Sequence, residues 1–379
     1  MTEPPNRVPR ILHIHSSFNP GGKELRCVRL INAFGGAAFN ALVSGEPDQR
    51  GAAALIELMV VWARFPSLKG KPWPWRLKSM AAAMQGYDLV CTYNWGAMDA
   101  VLAYTLFADV YKLPPMVHHE DGFNEDEAEE RKPSRNLYRR FALGRVSALV
   151  VPSHTLERIA LEEWEQPRTR VRRIPNGIAT RAFARKPKAD VLPGLVKRRG
   201  ELWVGTLAGL RKVKNLTALV RAMTFLPDEW QLVIAGEGPE RAAILAEAEA
   251  EGIEHRVHLP GFVANPASII GLFDVFALSS ASEQFPISLI EAMAAGLPVA
   301  APGVGDVGAL VAEENRPFIV ASGDERELRR ALSALADDPA LRKRIGEANR
   351  ARARKDYDEE AMIQRYKTLY WGLMNRKFA

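Results

Sequence analysis

The chain has 379 residues, a formal charge of +6, 47% apolar residues and 25% charged residues. These proportions are globular and exclude collagen, coiled coil and wholesale disorder; a chain this long buries enough surface to need no disulfide or metal for its core. The two cysteines, Cys27 and Cys91, exclude a disulfide scaffold. No run approaches 18 uninterrupted apolar residues, and the first residues lack a signal-peptide layout, so a cytoplasmic chain is expected.

Residues 10–15 read as a first strand. They run into Asn19-Pro20-Gly21-Gly22, after which Leu25, Val28 and Ile31 take a helical spacing. Residues 64–78 hold five basic residues and no acid around Trp73 and Trp75. Two readings stand side by side here. One is an anionic membrane surface, where a ring half buries and an ammonium meets phosphate; the other is a solvated proline-rich loop. No recognition module accompanies the patch, so nucleic acid is not expected as a partner. Residues 88–93 read as a strand leading into a helix through Met98 to Phe107. Two more strands follow at 115–118 and 148–151, and Ser153 is a natural cap for the next helix. The acidic run Glu125 to Glu130 reads as a mobile surface loop.

Residues 185–194, with two prolines and no periodicity, read as a linker. Beyond it, strands at 202–205, 231–235, 257–259, 275–278 and 298–301 alternate with helical patterns, and the tail from Leu328 is mostly helical. Strands alternating with helices mean parallel sheets, so the class is α/β. Expected domains are 1–188 and 189–359, with a last helix at about 360–379 packing back on the first. The basic excess belongs to the first half, where residues 1–190 carry 27 Lys and Arg against 20 acids; the remainder carries 24 against 25. A basic half suggests an anionic partner. Open parallel sheets place ligands at the carboxyl ends of their strands, and a cleft between two such domains suits the joining of two substrates.

The sharpest local feature is Glu283-Gln284-Phe285-Pro286-Ile287-Ser288-Leu289-Ile290-Glu291. Glu283 falls where a strand turns into a helix. Glu291 falls in the second helical turn among apolar residues, where a carboxylate is costly unless it accepts hydrogen bonds, as from sugar hydroxyls. Taken alone, an ordinary charge at the helix start and a solvated helix face explain the pair as well.

The surrounding run resembles retaining glycosyltransferases of family 4, which share the GT-B fold of two Rossmann-like domains facing a central cleft. The matching residues are Val204-Gly205-Thr206-Leu207 with Lys214-Asn215, Gly236-Glu237-Gly238-Pro239-Glu240, Leu259-Pro260-Gly261-Phe262, and Glu283 through Glu291 to Val299. Upstream, Pro20-Gly21-Gly22-Lys23-Glu24 and Ile174-Pro175-Asn176-Gly177-Ile178 are similar to the family's other signatures. The resemblance implies transfer of a sugar from a nucleotide diphosphate donor to a hydroxyl of a glycan or lipid-linked acceptor. It also implies retention at the anomeric carbon, no metal and no cofactor. In catalysis Glu283 corresponds to the glutamate on donor sugar hydroxyls, with Lys214 and Arg211 on the diphosphate. His119 is the candidate near the sugar, and His118 its alternative. Donor binding is implied for Gly21, Gly22, Gly236, Glu291, Phe285, Pro286, Ile287 and Ser288. His118, Glu120, Asn94 and Trp95 are acceptor-side candidates. Departures are Gln284, where glycine is common, Thr206, where arginine is common, and Ala309, where an acid is common. A sugar-nucleotide epimerase or phosphorylase of this fold, and a non-catalytic binder, are the alternatives.

Three further motifs admit other readings. Gly303-Val304-Gly305-Asp306-Val307-Gly308 spells a dinucleotide fingerprint, but late in the second sheet, where a phosphate-facing loop serves equally. Asp356-Tyr357-Asp358 mimics a metal motif and reads as a solvated helix face. His13, His15, His118, His119 and Glu120 would meet at strand ends, for metal or, more simply, for packing.

Overall fold

The computed structural model describes residues 7–123, 127 and 130–378. Two compact units emerge, residues 7–176 with 362–378, and residues 177–361. Among the described residues no helix is long and apolar enough to cross a membrane.

The first unit contains β1 (Arg10–His15), α1 (Gly22–Phe34), β2 (Phe39–Ser44), β3 (Val61–Trp62), α2 (Pro74–Ala83), β4 (Leu89–Tyr93) and α3 (Met98–Tyr111). These are followed by β5 (Met116–His119), α4 (Pro133–Ala142), β6 (Ala148–Val151), α5 (His154–Glu162) and β7 (Val171–Arg173). Its seven strands lie in the order β3-β2-β1-β4-β5-β6-β7, and all pairs are parallel. Leu12, Ile14 and Val90 face one apolar layer with Leu77, Met80 and Val101. Ile11, Leu89, Cys91 and Val117 face the other with Val28 and Ile31. Strands buried on both faces explain the continuous apolar runs.

The second unit holds β8 (Leu202–Leu207), α6 (Leu216–Met223), β9 (Trp230–Ala235), α7 (Arg241–Ala250), β10 (Val257–Gly261), β11 (Val275–Ala277), α8 (Ile287–Ala295) and β12 (Val299–Pro302). It continues with α9 (Val307–Leu310), β13 (Ile319–Val320), α10 (Glu325–Asp337) and α11 (Pro339–Asp356). The strand order is β10-β9-β8-β11-β12-β13, again parallel. The final helix, α12 (Glu359–Leu373), begins in this unit and from Met362 onward belongs to the first. There Met362, Tyr366, Tyr370 and Trp371 are buried among Phe34, Tyr93 and Val117.

The boundary corrects the expected one at 188. Phe183 and Leu192 are buried in the second unit's core with Leu272 and Phe273, and Leu192 bridges Leu195. The expected linker at 185–194 is therefore packed chain, and the crossing lies at 176–177. In both sheets the strand order reverses once, between β1 and β4 and between β8 and β11. Those switch points open a crevice at the strands' carboxyl ends.

Candidate functional site

The loop after β8 and the loop after β11 flank the second unit's switch point. They are stitched together: Ala281 N–H donates to Val213 O at 2.9 Å, and Ser279 Oγ donates to Lys214 O at 2.8 Å. That stitching sets Lys214 Nζ against Glu283 Oε1 in an ion pair. Ser280, 2% exposed, donates its hydroxyl to the same Glu283 oxygen at 2.8 Å. A short small-polar run thus joins one carboxylate and one ammonium where the loops after β8 and β11 meet. Ser279 and Ser280 escape sequence reasoning, because nothing in Ser279-Ser280-Ala281-Ser282 says which hydroxyl reaches back.

After Glu283, Phe285 packs edge-on to Tyr357, and Pro286 leads into α8, whose first turn has no side-chain cap. The first amides of a helix lack intrahelical partners, so Ile287 and Ser288 present bare N–H groups beside the carboxylate. Glu291 is nearly buried in the second turn, as its apolar neighbours imply. Gly236 closes the opposite edge: a Cβ there would sit 1.9 Å from Ala208 O, so only glycine lets the loops after β8 and β9 touch. Arg211 is exposed, with its guanidinium close to Gly209, while Lys214 alone of the two cations joins Glu283.

In the first unit the switch point brings Gly21 and Gly22 to the start of α1, uncapped by any side chain. Lys23 pairs with Glu24, whose carboxylate lies 2.7 Å from where a Gly21 Cβ would be. Asn94, in the left-handed region at φ 53°, accepts the Asp121 N–H at 2.9 Å. Trp95 lies 4.8 Å from both Arg135 and Arg139. Arg26, almost fully buried, forks onto Asp121 and also donates to Asn176 Oδ1 at 2.8 Å. It holds the loop after β5 in place, a role the sequence conceals because its partners lie 95 and 150 residues away.

The candidate histidines of the first unit are all buried. His119 is fully buried; its Nδ1 donates to Thr92 O at 3.1 Å, and Tyr370 donates to its Nε2 at 2.8 Å. Both nitrogens are occupied, and burial beside Arg26 pushes its pKa well down, which favours the neutral ring. His118 is equally buried, 2.8 Å from Thr92 Oγ1 and 3.6 Å from Glu120. Glu120, also fully buried, lies 3.7 Å from Arg139. His13 bonds Tyr93 and Asn40, and burial pushes its pKa down to about 4. His15 stacks on Tyr93 at 3.8 Å.

Residues 125, 126, 128 and 129 of the acidic run lie outside the described residues. Glu127 is buried, not a loop charge. Burial pushes its pKa up, but ion pairs with Arg139 and Arg135 outweigh that and leave it lowered. The Asp356-Tyr357-Asp358 motif is split: Tyr357 is buried, and Asp358 accepts from Thr180 and bridges Ile178 within the second unit.

Comparison with known proteins follows the same lines. Residues 20–182 match the family model "Glycosyltransferase Family 4", and residues 193–352 match "Glycosyl transferases group 1". The chain is similar to N-acetyl-alpha-D-glucosaminyl L-malate synthase of Bacillus anthracis, 25% identical over 64% of each chain, so the match spans just under two thirds of that relative. It is also similar to 2-deoxystreptamine glucosyltransferase of Streptomyces kanamyceticus, 28% identical over 76% of this chain and 73% of the other. The fold matches HepE of Anabaena, solved in complex with UDP and glucose, with a TM-score of 0.80 and 19% identity over 96% of this chain and all of that one. With the two models together covering most of its length and both parallel sheets in place, the chain belongs to glycosyltransferase family 4 and has the GT-B type of fold.

Proposed function

We propose that the protein transfers a sugar from a nucleotide diphosphate donor to a hydroxyl of a glycan or lipid-linked acceptor, with retention and without a metal. The observation that carries this reading is the Lys214–Glu283 pair at the β8/β11 switch point, beside the uncapped start of α8. On donor binding, the diphosphate takes Lys214 from Glu283, and Glu283 turns to the sugar hydroxyls. Arg211, exposed on the same loop, swings to the phosphates. The amides of Phe285 to Ser288 complete the cradle, Gly236 admits the nucleotide edge, and Glu291 holds the ribose. In the transfer step, the acceptor oxygen bonds the anomeric carbon on the face the diphosphate leaves. The carbon–oxygen bond to phosphate breaks, and the acceptor proton passes to the departing phosphate oxygen. Cationic side chains steady that charge, the part a metal plays elsewhere.

The first unit takes the acceptor near Asn94 and Trp95, while Gly21 and Gly22 at the uncapped start of α1 serve the donor. Its exposed Trp73 and Trp75 sit beside Lys71 and Lys78, which supports a station at the cytoplasmic face of an anionic membrane. Release of nucleoside diphosphate, measured with and without candidate acceptors, separates transfer from epimerisation, phosphorolysis and mere binding. Lys214→Ala and Glu291→Ala should each cut transfer more than tenfold with melting temperature within a few degrees of the parent. Parent-like rates in both would remove the assignment.

A further inference from the structure

Gln284, directly after Glu283, carries a polar side-chain atom with no partner inside the protein. Its amide oxygen Oε1 is buried and accepts no hydrogen bond. A buried carbonyl with idle lone pairs is costly, and glycine at this place would carry no such cost. The residue cannot escape by shifting its backbone. Asp306 N–H donates to Gln284 O at 3.3 Å. Gly305, in the left-handed region at φ 55°, packs so closely that a Cβ there would lie 2.0 Å from Glu283 O and 3.1 Å from Gln284 Cα. The run that spells a dinucleotide fingerprint is therefore a backrest for the 283–284 loop. Directly before it, Glu283 Oε1 is already taken by Lys214 and Ser280.

We infer that Gln284 is a specificity-determining residue: its side-chain carbonyl accepts a hydrogen bond from a hydroxyl or amide N–H of the donor sugar. This rests on the reading that residues 283–288 hold the donor. The loop then offers the sugar two neighbouring acceptors, Glu283 Oε2 and Gln284 Oε1, and favours donors carrying O–H or N–H groups toward both. A site built to bond such a group rejects an analogue without it far more strongly than an apolar pocket rejects a methylene.

The test is calorimetric titration of the full chain with UDP, GDP and ADP, their glucose conjugates, and UDP-N-acetylglucosamine. Gln284→Met keeps the length and removes the acceptor. It should weaken the preferred sugar nucleotide at least tenfold while leaving the matching nucleoside diphosphate within twofold, and Glu283→Gln should likewise weaken the sugar nucleotide relative to the diphosphate. An unchanged ratio of sugar nucleotide to diphosphate in Gln284→Met, or an equal loss of both, overturns the inference. If Gln284→Met is silent while Glu283→Gln is not, the inference alone falls. If the parent binds none of these nucleotides, or both variants are silent, the donor reading falls with it.

Discussion

Arg256 is a cation buried without an acid to match it. Only 4% exposed, it donates to the carbonyls of Trp230, Met223, Leu226 and Pro227 at 3.0 to 3.2 Å, while Asp228, at 3.6 Å, is fully solvated. It ties together the carbonyls of the turn between α6 and β9, two of which also accept backbone N–H groups, and burial lowers its pKa. Arg256→Met should cost about 3 kcal/mol in urea unfolding, because several carbonyls lose a donor together. Arg256→Lys should recover only part, since an ammonium lacks the planar fork. A loss below about 0.5 kcal/mol in the Met variant would mean water already serves those carbonyls. Legibility at this scale follows sequence distance. Glu283, Glu291 and Lys214 stand in ordered, spaced motifs and could be found. Ser280, Arg26 and the Tyr370 that occupies His119 could not, because each acts through a partner that only folding brings near.

At the scale of elements, α2 and the loop before it carry a surface the core does not explain. Leu77, Met80 and Ala81 bury against α3, and Arg76 is committed to Asp99 Oδ2 at 2.6 Å and Ser67 O at 2.8 Å. Trp73 and Trp75 stay 51% and 65% exposed, stacked 5.3 Å apart, with Arg64, Lys71 and Lys78 free to reach phosphate. Two indoles and three basic residues, each worth about 1 kcal/mol near an anionic surface, suffice for reversible docking. Flotation should recover the protein with phosphatidylglycerol vesicles and not with phosphatidylcholine. Trp73→Ala/Trp75→Ala should cut recovery at least fivefold; equal recovery from both lipids would end the membrane reading. Elements with their own pattern were legible: β1, β4, β6 and β9 fall within a residue or two of expectation. The β3 and β13 strands have two residues each, and only a neighbour's open edge makes them strands.

For the whole molecule, the uneven placement of buried histidines gives the two units different responses to acid. His13, His15 and His119 all lie in the first unit's sheet, fully buried. Burial lowers the pKa of each, for His13 to about 4, with the neighbouring cations Lys23 and Arg26 adding to the effect at His15. The folded state therefore keeps these rings neutral while the unfolded chain takes up protons near pH 6.5. Stability is intact above that value and falls as pH drops from about 6.5 toward 4. His13 alone contributes a loss of about 3 kcal/mol across that window, at about 1.4 kcal/mol per pKa unit. In the second unit His258 is lowered by burial but only half buried, so its contribution is smaller. Hydrogen exchange at pH 5 should therefore accelerate in β1, β4 and β5 before β8, β9 and β11, and His13→Gln should flatten the decline by about one proton. The substituted amide retains a partner for Asn40 or Tyr93 while removing the titration, which separates protonation from lost packing. Equal acceleration in both sheets, or an unchanged slope in His13→Gln, would show that carboxylates rather than these rings set the acid limit.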